Sequence, residues 1–193
     1  MTRLTDPMPT PRPFPVVGLA AWSGTGKTTL LAALIPELRA QGIRPALIKH
    51  AHHRFDVDHP GKDSHVLREA GAEQVLVASR HRMALMVESP EPREPRLEEL
   101  LCHLDPHRTD LVLVEGFREE PLPKIELHRV ALGHPLLHPD DPYIIAVATD
   151  APGALNTGLP ILDLNAPQAV ARFLLDWVRR RAPASQKDRS PPV

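Results

Sequence analysis

The sequence holds a single cysteine, Cys102, among 193 residues. One thiol excludes an internal disulfide framework and fits a reducing compartment. Neither sign of charge is in excess: 23 Lys and Arg stand against 24 Asp and Glu, for a formal net charge of −1. A general electrostatic grip on nucleic acid needs a basic surface, so nucleic acid is not expected as a partner. No apolar run approaches the about 20 residues that a membrane-spanning helix requires. The proline-rich start does not match a signal peptide. These absences point to a cytoplasmic protein with neither a membrane nor a nucleic-acid partner.

Proline, by contrast, is abundant, with 23 residues. Residues 1–14 are rich in it and have no apolar period, so they are expected to form a disordered arm. Ser89–Pro95, "SPEPREP", reads as an exposed connection, and residues 181–193 as a frayed tail. Between them, residues 15–180 are long enough for one domain with a sizeable core.

Along that stretch, short apolar runs alternate with helical patterns. "FPVVGLAAW" reads as a buried strand. In "GKTTLLAALIPELRAQG", Leu30, Leu31, Leu34, Ile35 and Leu38 recur at helical spacing, and Gly42 is a natural stop. Pro36 falls inside that pattern and predicts a kink or local break. "RPALIKH" completes a βαβ unit. Ser64–Ala70 reads as a helix capped by Ser64 and stopped by Gly71. "EQVLVAS" and "RMALMVE" read as strands joined by the turn Ser79–Arg82, and "RLEELLCHL" as a short amphipathic helix. "DLVLVEG", "KIELHRV" and "YIIAVATD" read as strands, and "APQAVARFLLDWVRRR" as a closing amphipathic helix with a basic last turn. The class is α/β, a mostly parallel sheet flanked by helices. "RMALMVE" and "KIELHRV" alternate and have no obvious place in the βαβ core, so they are expected to be edge strands that pair between subunits.

The chemistry centres on "AAWSGTGKTT", which nearly spells a phosphate-binding loop. Gly24, Gly26, Lys27 and Thr28 occupy their places, but Ala21 stands where the first glycine belongs. Glycine is needed most beside the phosphates, where backbone N–H groups turn inward. The first position mainly ends the strand, and alanine serves there if its φ stays negative. Lys27 would then meet the β and γ phosphates, Thr28 would offer a hydroxyl to Mg²⁺, and the helix N-terminus would add its dipole. The alternative is a glycine-rich turn with a surface lysine. The strand before and the helix after favour the phosphate loop, and with it a P-loop NTPase-like fold.

Ligands of open parallel sheets gather at the carboxyl ends of strands. Asp110 begins its strand and belongs at the far edge. Glu115 ends it and belongs beside the loop, where it could hold Mg²⁺ through a water or orient an attacking water. Asp150 ends "YIIAVATD" in the same way. A carboxylate there could accept from the adjacent N1–H and N2 amino donors of guanine, or it could cap a turn. The Asn-Lys or Thr-Lys that commonly accompanies such an aspartate is missing, since Val147 and Ala148 stand there. "KHAHHRFDVDHPGKDSH" gathers His50, His52, His53, His59 and His65 with Asp56, Asp58 and Asp63. Metal ligation is one reading of this stretch, with Asp58 and Asp63 near Mg²⁺; a polar loop beside the nucleotide or a partner is the other. Cys102, on a helical pattern between Leu101 and Leu104, reads as a buried core thiol.

"GLAAWSGTGKTTL", "IRPALIKHAHH", "DVDHPGKDSHVLREAGA", "LVLVEGF" and "KIELHR" follow one another in an order and spacing that resemble the MobB family of molybdopterin-guanine dinucleotide biosynthesis adaptor proteins. The resemblance spans Pro15–Trp177, and alanine at the first loop position is part of it. It implies a homodimer that binds GTP with Mg²⁺ and hydrolyses it weakly. Such a protein would assist molybdopterin guanylyltransferase, and other molybdenum cofactor enzymes, in the step that joins GMP to molybdopterin. The loop residues it implicates are Gly24, Thr25, Gly26, Lys27, Thr28 and Thr29, and Ser23 beside them is a further candidate for nucleotide binding. The competing readings are a small-molecule kinase, with Ser79–Arg82 as a lid, and an ATP-dependent metallochaperone using the histidines.

Overall fold

The computed structural model describes residues 12–51, 55–89 and 91–181. The chain divides into two compact units, one formed by the residues up to His50 and from Leu97 onward, the other by Ala51–Arg96.

The first unit is built on a six-stranded parallel sheet. Its strands are β1 (Val16–Ala20), β2 (Pro45–Lys49), β5 (Leu111–Glu115), β6 (Lys124–His128), β7 (Ile144–Thr149) and β8 (Ile161–Asp163), in the order β2-β5-β1-β6-β7-β8. Strands buried on both faces read as continuous apolar runs, and β1, β5 and β7 do so. One face packs against helices α1 (Lys27–Ala40) and α4 (Pro167–Arg181). There Val17, Leu19, Leu113, Ile125 and Leu127 meet Leu30, Leu34 and Leu38 of α1 and Leu174 and Trp177 of α4. The other face packs Val112 and Val114 against Leu97 and Leu101 of the short helix α3 (Leu97–Leu101), together with Phe14 and Leu122.

Five of the sequence expectations for this unit need correction. Pro36 does not break α1, which runs through it unbroken. Pro36 lies on the exposed side, where the carbonyl left without its N–H partner can meet water. Phe14, assigned to the arm, is 3 % exposed, and Arg12 is ion-paired with Glu98. The packed domain therefore begins by Arg12, while residues 1–11 of the arm and 182–193 of the tail lie outside the described residues. Cys102 is exposed, because α3 stops at Leu101 and the helical spacing does not continue; its thiol donates to the Glu98 carbonyl at 3.3 Å. The three-residue β8 is too short to leave a readable period and was not anticipated.

The fifth correction concerns β6. It is no edge strand but lies between β1 and β7, and all five of its residues are buried. Ile125 and Leu127 face α1 and α4, while the polar residues of the alternation are buried and paired instead of solvated. Lys124 Nζ is 2.8 Å from an Asp141 carboxylate oxygen and donates to the carbonyls of Arg118 and Glu120 at 2.7 and 2.9 Å. Glu126 accepts the backbone N–H groups of Leu137 and His138 at 2.7 and 2.9 Å. Gly18 makes room for this arrangement: a Cβ there would come within 2.8 Å of Lys124 Cγ. The lysine stem thus lies across β1 and pins the helix-free crossover between β5 and β6.

In the second unit, helix α2 (Asp63–Glu69) precedes an antiparallel hairpin of β3 (Gln74–Ala78) and β4 (Met83–Val87). Ser64 does not cap α2; its N-cap is Lys62, in extended conformation and without a side-chain cap. Ser79–Arg82 forms a tight hairpin turn closed by the Ser79 N–H to the Arg82 carbonyl at 2.8 Å. Arg68 binds Asp58 at 2.9 Å and Asp56 at 3.1 Å, and reaches Glu88 at 3.4 Å, which ties loop, helix and hairpin together. The Arg68 guanidinium holds the Asp58 carboxyl below its ordinary range.

Candidate functional site

Because every strand of the large sheet is parallel, one edge collects all the carboxyl ends. The register aligns Leu19 of β1 with Glu115 of β5, and Glu115 with Lys49 of β2; on the other side, His128 of β6 aligns with Thr149 of β7. The residues that follow these positions, Ala21–Lys27, His50, Arg129 and Asp150, therefore emerge at the same edge.

The glycine loop connects β1 to α1 there. Gly24 and Gly26 have φ of 77° and 98°, values that side-chain-bearing residues rarely adopt. Among the described residues Phe117 is the non-glycine with positive φ, so Ala21 ends the strand with an ordinary backbone, as the loop requires. Thr25 is 2 % exposed and folds the loop on itself: its hydroxyl donates to the Trp22 carbonyl at 2.8 Å. Lys27 arches back over the loop, with its ammonium 3.3 Å from the carbonyls of both Ala21 and Trp22. No side chain caps the start of α1 and its first turn carries no acid, so its first N–H groups are left to an anion. Ser23, Thr28 and Thr29 are exposed on this rim.

Glu115 is 8 % exposed, and its carboxylate lies 3.6 Å from the Lys49 ammonium, a partner that the sequence did not reveal. Asp110 lies at the opposite edge, held by Arg44 through paired bonds of 2.7 and 2.6 Å. Asp150 receives the Val130 N–H at 3.1 Å and lies 3.5 Å from a guanidinium nitrogen of Arg129. These are capping contacts. The side chain keeps 22 % exposure, and a carboxylate offers about four acceptor positions, so capping and a base contact are compatible.

The histidine stretch is not brought together as one cluster among the described residues. His50 stacks on Phe117 at 4.9 Å, His59 lies against the Pro60 carbonyl, and His52 and His53 lie outside the described residues. Asp58 is engaged by Arg68. Among the described residues no group of three or more His, Cys, Asp or Glu could hold a metal ion. The exposed Thr28 hydroxyl at the start of α1 is a group that could share a cation with a phosphate and water. Also among the described residues, no helix is long and apolar enough to cross a membrane.

Two residues near the loop went unnoticed in the sequence. Arg129 donates to the Thr25 carbonyl at 2.9 Å across 104 residues of chain. Trp22 stacks on His134 at 5.3 Å beneath the Arg118 guanidinium. Long sequence separation hides both contacts, since Arg129 and His134 lie far along the chain from the loop.

Comparison with known proteins adds to this geometry. The family model described as molybdopterin guanine dinucleotide synthesis protein B, MobB, matches residues 16–150. The molybdopterin-guanine dinucleotide biosynthesis adapter protein of Escherichia coli K12 is 51% identical over 172 residues, which cover 87% of this chain and 95% of the relative. The protein of the same description from Haemophilus influenzae is 47% identical over 165 residues, covering 86% and 90%. The crystal structure of a MobB homolog from Bacillus stearothermophilus is 26% identical, covers 86% of this chain and 99% of that one, and superposes with a TM-score of 0.60. The match spans the glycine loop, both neighbouring strand ends and Asp150, over more than half of the sequence; this chain belongs to the MobB family.

Proposed function

We propose that the protein is a GTP-binding adaptor that assists attachment of GMP to molybdopterin, in the biosynthesis of the guanine dinucleotide form of the molybdenum cofactor. The single observation that carries the nucleotide part is the loop Ser23–Thr29, folded between a buried strand and an uncapped helix, with Lys27 arched over it. The E. coli and H. influenzae relatives, by their descriptions, support the pathway. In this reading Gly24, Thr25 and Gly26 present N–H groups to the phosphates, and Lys27 meets the charge of the β and γ groups. Thr28 and Glu115 would hold Mg²⁺, the latter through water, and the ion would supply charge neutralisation on the phosphate oxygens. Glu115 would also orient the water of a slow hydrolysis. The site of action is the cytoplasm, with molybdopterin guanylyltransferase as partner and other molybdenum cofactor enzymes as further ones. Loading the protein with GTP and Mg²⁺, capturing its partners and analysing them for a guanylyltransferase and bound pterin tests the reading. Recovery of neither overturns the pathway assignment.

Asp150 is proposed as the guanine contact. Asp150→Asn should cost GTP about 1–3 kcal/mol, because the amide donor meets guanine's own donors, while ATP changes little. Xanthosine triphosphate should gain, since its C2 oxygen can accept from the amide. Equal weakening of GTP and ATP, or no change, would leave Asp150 as a cap alone.

Dimerisation is proposed through the hairpin. Leu76 faces Leu85 across the strands, and Leu76, Met83, Leu85 and Val87 share one face with exposures of 60, 70, 48 and 53 %. A two-stranded hairpin is marginal alone, and an apolar face of this kind is ordinarily covered. Sedimentation of the native chain should give a dimer at micromolar concentration, and Leu76→Arg with Leu85→Arg should give a folded monomer. A monomeric native chain contradicts the proposal.

A further inference from the structure

The Arg129 side chain leaves the carboxyl end of β6 and lies along the phosphate loop. Its Nε donates to the Thr25 carbonyl at 2.9 Å, and its Nη1 lies 3.5 Å from an Asp150 oxygen. A Cβ built on Gly26 would sit 3.7 Å from its Nη2, so the guanidinium runs beside the peptide that joins Thr25 to Gly26.

We propose that Arg129 is a positioning residue that sets the orientation of the Thr25–Gly26 peptide in the phosphate loop and ties that loop to Asp150. A peptide unit is planar, and in the trans form its C=O and N–H point in opposite directions. No described peptide is cis. Holding the Thr25 carbonyl toward Arg129 therefore turns the Gly26 N–H away from the guanidinium, to the side where a phosphate oxygen can accept it. Gly26, at φ of 98°, has no Cβ to fix that plane, and glycine crosses between φ wells at little steric cost. Without a partner for the Thr25 carbonyl the plane can flip, and a flipped peptide presents an oxygen to an anion. The bond to a guanidinium is charge-assisted, and it polarises the amide so that the N–H becomes the better donor. Because the same guanidinium reaches Asp150, the phosphate loop and the proposed base-contacting carboxylate share one anchor.

The inference rests on the reading of this loop as a nucleotide site, and the test separates the two. In the full chain with Mg²⁺, GTP affinity is measured for the native protein, Arg129→Met and Arg129→Lys. The Gly26 amide resonance is followed in the nucleotide-free chains, with thermal midpoints as the control for folding. Arg129→Met should weaken GTP about ten- to a hundredfold and displace the Gly26 amide resonance, with a midpoint close to native. Arg129→Lys, which keeps the charge but loses the fork, should displace the same resonance and recover only part of the affinity. A native chain that binds no nucleoside triphosphate overturns the site reading and this inference together. A native chain that binds, beside an Arg129→Met chain with unchanged affinity, overturns the inference alone. So does weakened binding with an unmoved Gly26 resonance, which would make Arg129 a direct ligand contact.

Discussion

Replacing Lys27 with alanine should abolish tight GTP binding and leave the fold in place. In the structure its ammonium bridges two loop carbonyls at 3.3 Å each, contacts too long to contribute much to stability. Against a triphosphate the same ammonium becomes a compact charge facing several phosphate oxygens, where bonds between charged groups are strongest. The expected loss is about a hundredfold or more in affinity. Calorimetric titration with GTP, beside a circular dichroism spectrum and a melting curve, checks it. Native-like affinity in a folded Lys27→Ala chain would remove the phosphate-loop assignment. A melted chain would show instead that the carbonyl contacts stabilise the loop far more than their lengths suggest.

The largest loss of stability should come from Lys124→Ala. Lys124 is 2 % exposed, and its ammonium serves Asp141 and two carbonyls of the β5–β6 crossover. Removing the lysine leaves the Asp141 carboxylate, 21 % exposed in its side chain, to water and two crossover carbonyls without their donor, at about 1–3 kcal/mol for each acceptor left unpaired. For a domain of this size that lowers the melting midpoint by about 10 °C. Urea unfolding should show the midpoint fall at unchanged slope. Gly18→Ala should also destabilise the native chain, because its Cβ meets the lysine stem. In the Lys124→Ala background it should cost much less, since the stem is gone. Additive costs in that double-mutant cycle would contradict the packing argument. The crossover carries Arg118, whose guanidinium lies over Trp22 of the glycine loop, so the first variant should weaken GTP binding as well.

Local chemistry made part of this molecule legible. A phosphate loop needs glycines at positive φ next to a lysine at a helix start, and those demands fall on adjacent residues, so the conformation of "SGTGKTT" was legible, with Gly24 and Gly26 at positive φ and α1 starting at Lys27. Ala21 was readable for the same reason, because an ordinary φ suffices at the end of β1. β1, β5 and β7 are apolar up to their carboxyl ends because helices or loops cover both of their faces, and the positions of Glu115 and Asp150 follow from parallel strands ending at one edge.

Tertiary structure alone decided the rest. The alternation of β6 promised a solvated face, yet that face is the interior. Burying Lys124 and Glu126 is possible only because Asp141, two crossover carbonyls and the backbone of Leu137 and His138 arrive from elsewhere in the chain to pair with them. A period of two reports where polar groups sit but not what satisfies them. Cys102 fell outside the core because α3 ends at Leu101, so the helical spacing does not carry on to it. Arg129 on the loop and Lys49 on Glu115 come from strands that only the sheet order brings beside β1 and β5. The sequence by itself determined the family and the glycine loop between β1 and α1; the strand order determined which distant charges surround that loop, because hydrogen bonds and ion pairs depend on positions in space that local sequence does not encode.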